Sequence, residues 1–109
     1  MFSRHERNID ELMARLVKKQ GIVIQRECPI YNSRNKLVYV ADVMTYAYKD
    51  RMKYMTIYEV KTGGRNTVSK AYEQANKTFN ALRYKPNLKI NFVLISDMYG
   101  VRRIRDVRL

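Results

Sequence analysis

Residues 37–61 read LVYVADVMTYAYKDRMKYMTIYEVK, and the fold follows from this stretch. Val, Tyr, Thr, Ile and Met dominate 37–48 and 53–61, side chains that suit a pleated, half-buried backbone. Lys49, Asp50 and Arg51 between them read as a hairpin loop, so two antiparallel strands are expected. Three charges interrupt these apolar runs: Asp42 in the first strand, Glu59 and Lys61 in the second. Strand side chains alternate faces, so Glu59 and Lys61 share one, and an antiparallel partner can bring Asp42 opposite them.

Upstream, Ile9, Leu12, Met13, Leu16 and Val17 recur at helical spacing within 3–20, and Gly21 supplies a stop. A short β-branched strand is expected over 22–27, broken by Pro29 and the turn-forming Asn32, Ser33, Arg34 and Asn35. Downstream of Gly63-Gly64, read as a turn, Val68, Ala71, Tyr72, Ala75, Phe79 and Leu82 define a second helix ending before Pro86. Residues 89–96 have the length and apolarity of a buried strand, and 100–108 form one more, strongly basic strand. The order is αβββαβ(β): an α/β fold with a mixed central sheet flanked by helices. No repeat, low-complexity tract or linker divides the 109 residues, so one domain over 1–109 is expected.

Twenty-two Lys and Arg against ten Asp and Glu give a net charge of +12. A chain so basic seeks polyanions, nucleic acid first among them, because each phosphate it neutralises releases condensed counterions. Arg65, Lys70, Lys77, Arg83 and Lys85, with Arg102, Arg103, Arg105 and Arg108, could track a duplex backbone; the plain alternative is a solvated basic surface. The nine tyrosines read as strand packing before base stacking. Cys28 is the sole cysteine, which excludes an intrachain disulfide and a cysteine zinc cluster and fits a reducing interior. His5 is the sole histidine, so a histidine zinc site lacks its parts; a surface position is expected for it. There is no signal-peptide pattern and no apolar run of membrane-spanning length, so a cytoplasmic protein with no membrane partner is expected.

Two carboxylates suit a hard divalent cation, Mg²⁺ or Mn²⁺, with water, a substrate phosphate and a backbone carbonyl such as that of Val60 completing the shell. Lys61 could orient the attacking water and stabilise charge building on phosphoryl oxygens. Glu-x-Lys alone reads as a surface salt bridge. Here it ends a strand, follows an Asp-bearing strand and precedes a glycine pair and a helix, a context that favours a metal site.

On these residues the chain resembles the PD-(D/E)XK nuclease superfamily: Asp42 matches the motif's Asp, and Glu59-Val60-Lys61 its E-x-K. Ala41 stands where the name-giving Pro would be. The resemblance implies a restriction-endonuclease-like αβββαβ core and Mg²⁺-dependent DNA hydrolysis. Gly21-Ile22-Val23-Ile24-Gln25-Arg26 looks like the corresponding segment of small archaeal-type Holliday-junction resolvases, which implies that Arg26 contacts DNA near the cut. Such relatives also place a first-helix acid beside the metal. Steps of about 100° per residue put Glu6 and Asp10 at the edge of the apolar stripe and Glu11 on the far side, so Glu6 or Asp10 is preferred. Gln74 falls where related exonucleases and some resolvases carry a Gln or Lys. The expectation is a DNA endonuclease, resolvase-like in its substrate, working as a homodimer and suited to a virus, phage or mobile element. The alternatives are a non-catalytic nucleic-acid-binding module and a single-strand exonuclease of the same fold.

Overall fold

The β-branched and aromatic content of 23–61 produces a three-stranded antiparallel meander: β1 (Val23–Tyr31), β2 (Leu37–Lys49) and β3 (Met52–Lys61). The computed structural model describes residues 3–19, 21–62, 66–96 and 100–108, and the Gly63-Gly64 turn lies outside them. Two helices, α1 (Arg4–Leu16) and α2 (Thr67–Leu82), and two further strands, β4 (Leu88–Ser96) and β5 (Gly100–Arg108), complete the chain. The sheet runs β1-β2-β3-β4-β5. Only β4 lies parallel to its neighbour β3, and the intervening α2 is the crossover that a parallel pairing needs. β5 returns antiparallel to β4, so the expected α/β fold with a mixed sheet and flanking helices is present.

Each helix buries one apolar stripe on the sheet. Ile9, Leu12 and Leu16 of α1 cluster with Val43 and Val60. Burying each of these three helix side chains contributes about 1.5–3 kcal/mol relative to exposure. Ala71 and Ala75 of α2 are fully buried, and their small side chains let that helix lie close to the sheet while Phe79 and Leu82 fill the space beside them. Beneath α2 sit Ile57, Ile90, Phe92 and Leu94, all fully buried. The two helices thus cover opposite faces, because Ile57 and Val60 have opposite strand parity and belong to different clusters.

Two boundaries differ from the sequence reading. The first helix stops at Leu16 rather than running to residue 20: Lys19 N–H donates to the Leu16 carbonyl at 3.0 Å, a tighter turn that closes the end. The first strand passes through Pro29 to Tyr31 instead of ending before it. A proline is tolerated there because β1 is an edge strand. No helix among the described residues is long and apolar enough to cross a membrane.

Candidate active site

The pairing of β2 with β3 runs from Lys49↔Met52 to Val43↔Tyr58 and stops, whereas the pairing of β3 with β4 continues to Lys61↔Ser96. The last three residues of β3 therefore keep a neighbour on one side only. On the open side the Asp42 carboxylate takes the place of a backbone carbonyl: its Oδ2 accepts the Val60 N–H at 2.9 Å. Since Val60 is fully buried, that N–H needs a partner.

A break in side-chain phase, without a change of register between β1 and β2, sets Asp42 free to do this. Tyr39 and Ala41 pack on the α2 side of the sheet, and so do Met44 and Tyr46, although the two pairs differ in parity; Val43 packs on the α1 side. The same break occurs across from it on β1, where Ile24 joins the α1 cluster but Cys28 and Ile30 join the α2 cluster. Between the pairs Arg26↔Val43 and Cys28↔Ala41, Glu27 and Asp42 drop out of the pairing, and Glu27 has φ of +51°. Irregularities of this kind re-aim a side chain, and here the side chain is Asp42.

Glu59 lies on the α2 side of β3 and is only 5% exposed. Lys61 Nζ donates to its Oε1 at 2.9 Å. Burial raises the Glu59 pKa above the ordinary carboxylate value; the hydrogen bond and charge of Lys61, the charge of His5 and, least, a hydrogen bond from Gln74 oppose the rise. Gln74 is near enough to contribute, yet Glu59 Oε2 and Gln74 Oε1 have no well-formed hydrogen-bond partner although both are buried. A buried carboxylate oxygen and a buried amide oxygen, each without a well-formed donor, make a site that favours a cation or a donor.

Asp42, Glu59, Lys61 and Gln74 are thus brought together at the end of β3, with Val60 between the two charged members of its strand. The first-helix acids are not. Glu6 is exposed, its N–H capped by Ser3 Oγ at 3.1 Å, and Asp10 is bound to Arg26 through Nη1, so both ends of that pair are engaged with each other. From α1, His5 does reach the site: its Nε2 lies 3.4 Å from Asp42 Oδ2. The His5 side chain is 42% exposed, in keeping with the expected surface position, while its ring edge reaches the site. Its location was legible: the buried stripe Ile9, Leu12 and Leu16 extended one turn back, four residues from Ile9, falls on His5. Lys70 and Lys77 are exposed on α2 and Arg103 on β5, while Arg65 and the Arg102 side chain lie outside the described residues.

Among the described residues no group of three or more His, Cys, Asp and Glu side chains converges as a metal cage. An ion here would depend on two carboxylates plus oxygens from solvent or substrate, which is the habit of Mg²⁺ and not of a structural zinc. No protein-family model matches the chain, and neither does any curated protein or solved structure.

Proposed function

We propose that the chain is a divalent-metal-dependent nuclease that hydrolyses DNA phosphodiester bonds at the end of β3. The observation that carries this reading is the buried Glu59 carboxylate, held by Lys61 on one oxygen and without a well-formed donor on the other, beside an Asp42 that drops out of the strand pairing. An unpaired buried carboxylate oxygen is costly in a protein that binds nothing there. Asp42, Glu59 and the Val60 carbonyl would hold Mg²⁺ or Mn²⁺, and the orphaned oxygen fits that role. Such an ion supplies Lewis acidity toward the scissile phosphoryl group. Lys61 Nζ orients the attacking water and donates to the phosphoryl oxygens as negative charge builds on them. Gln74, with its amide turned toward Glu59, aligns that water or a non-bridging oxygen. The net charge of +12 draws the polyanion in. One small site cuts one strand, so a homodimer on a two-fold axis would cut both strands of a branched duplex such as a Holliday junction. A cytoplasmic setting, that of the host if the protein is viral, suits this activity.

One observation favours a second reading, a non-catalytic nucleic-acid-binding module: Asp42 already serves the Val60 N–H and Glu59 already pairs with Lys61, so both acids have structural work. Cleavage of a four-way junction, a linear duplex and a closed circle, with Mg²⁺ or Mn²⁺, separates the two. Asp42→Asn and Glu59→Gln keep the shape and remove the charge. Cutting by wild type that both variants abolish supports the nuclease. Tight DNA binding with no cutting on any substrate and metal leaves the binding module.

A further inference from the structure

Away from the acids, the β1–β2 hairpin and the end of α2 border two open cavities whose linings are neighbours in sequence at Tyr31–Asn32 and at Ala81–Leu82. One, of about 300 Å³, has Tyr31 and Tyr84 at its rim, 44% and 52% exposed, Lys53 and Lys85 in its wall, and Met44 and Met55 in its apolar floor. The other, of about 290 Å³, lies between Asn32 and Val38 of the hairpin and Lys77 and Asn80 of α2. Among the described residues no acidic side chain lines either one. Lys77 and Lys85 hold no ion pair among the described residues, and Lys85 Nζ stands 5.9 Å from the Tyr84 ring centre.

We infer that this groove seats a single strand of nucleic acid. An apolar floor with exposed tyrosines accepts an unstacked base, and lysines beside it accept phosphates; this is how strands are held without sequence readout. Cavities of this size, at the small end of those that enclose a small molecule, take one nucleotide unit and not the width of a duplex. The groove leads toward the candidate cutting site. Gln74, Lys77 and Ala81 follow one another along one side of α2, and Met55 in the cavity floor is four residues from Glu59 on the same face of β3, roughly 13 Å away. If the nuclease reading holds, its substrate carries an unpaired strand; that step rests on the proposed function, whereas the binding does not.

The test is fluorescence anisotropy with a labelled oligothymidylate and a blunt duplex of equal length, in EDTA so that no cutting can occur. Wild type should bind the single strand more tightly. Tyr84→Ala should weaken it about tenfold, and Lys85→Glu should weaken it and flatten its salt dependence. Lys18→Glu, an equal charge change on the exposed end of the first helical segment, should stay within about twofold of wild type. Oligothymidylate binding by Tyr84→Ala equal to that of wild type, a preference for duplex, or a loss in Lys18→Glu as large as in Lys85→Glu overturns the groove. The expected binding pattern in a protein that never cuts supports the groove and removes the nuclease reading alone.

Discussion

Replacing Glu59 with Gln should stabilise the metal-free protein. In the native site Glu59 Oε2 and Gln74 Oε1 are two buried acceptors without donors, close enough for Gln74 to influence the Glu59 carboxyl. The substitution puts an NH₂ where one of them stood, so a single new hydrogen bond can satisfy both. Each unsatisfied buried group costs about 1–3 kcal/mol. Against this, the variant exchanges a charge-assisted bond from Lys61 for a neutral one. That loss is reduced because Lys61, 30% exposed, can rehydrate. The net gain is about 1 kcal/mol at neutral pH, or roughly 4–8 °C in Tm for a chain of this size.

The sign reverses the usual acid case. Because burial raises the Glu59 pKa above 4.5, the native state holds its proton to higher pH than the unfolded chain does. Wild-type stability from this group is therefore full below 4.5 and is lost as pH rises through the raised native value. The gain in Glu59→Gln should be present at about pH 8 and vanish at about pH 4, where a protonated Glu59 can itself donate to Gln74. Urea denaturation of both proteins in EDTA at the two pH values measures it. A variant less stable than wild type at pH 8, or a difference that does not change with pH, would refute the reasoning.

Asp42→Ala leaves the buried Val60 N–H without its acceptor and should cost about 1–3 kcal/mol in urea denaturation, whereas Asp42→Asn, whose carbonyl can still accept, should recover most of it. If the two variants are equally unstable, the bond to Val60 is not what Asp42 contributes. Cys28 is buried and its pKa is raised, chiefly by that burial, so less thiolate is present near pH 8 than in the unfolded chain. A disulfide reagent should label it far more slowly in the native protein than in urea, and equal rates would show that the α2 side of the sheet opens readily.

The order of elements was legible because each carries a strong period: alternation in β2 and β3, and a stripe in α1 whose buried members Ile9, Leu12 and Leu16 are those that the spacing selects. Asp42, Glu59 and Lys61 stood out as charges inside apolar strands. What periodicity cannot supply is a break in phase. Strict alternation places Asp42 directly across from Glu59, whereas the phase break at Glu27 and Asp42 turns it onto the Val60 N–H, and only three-dimensional pairing reveals that. Charge at the stripe edge points to Glu6 or Asp10, whereas the residue in line with the stripe is His5, which reaches Asp42, and Asp10 pairs with Arg26.

The left-handed residue in β1 also bears on assembly. An outer strand with regular, unfilled backbone valences invites another chain to extend the sheet, and aggregates often begin there. On one margin of this sheet that invitation is withdrawn twice, by the kink at Glu27 and by the absent N–H of Pro29. On the other margin β5 carries the exposed Arg103, whose charge opposes the approach of a second copy of the same edge. Strand-to-strand joining of two copies is thus disfavoured along the β1 margin by the backbone itself, whatever side chains surround it.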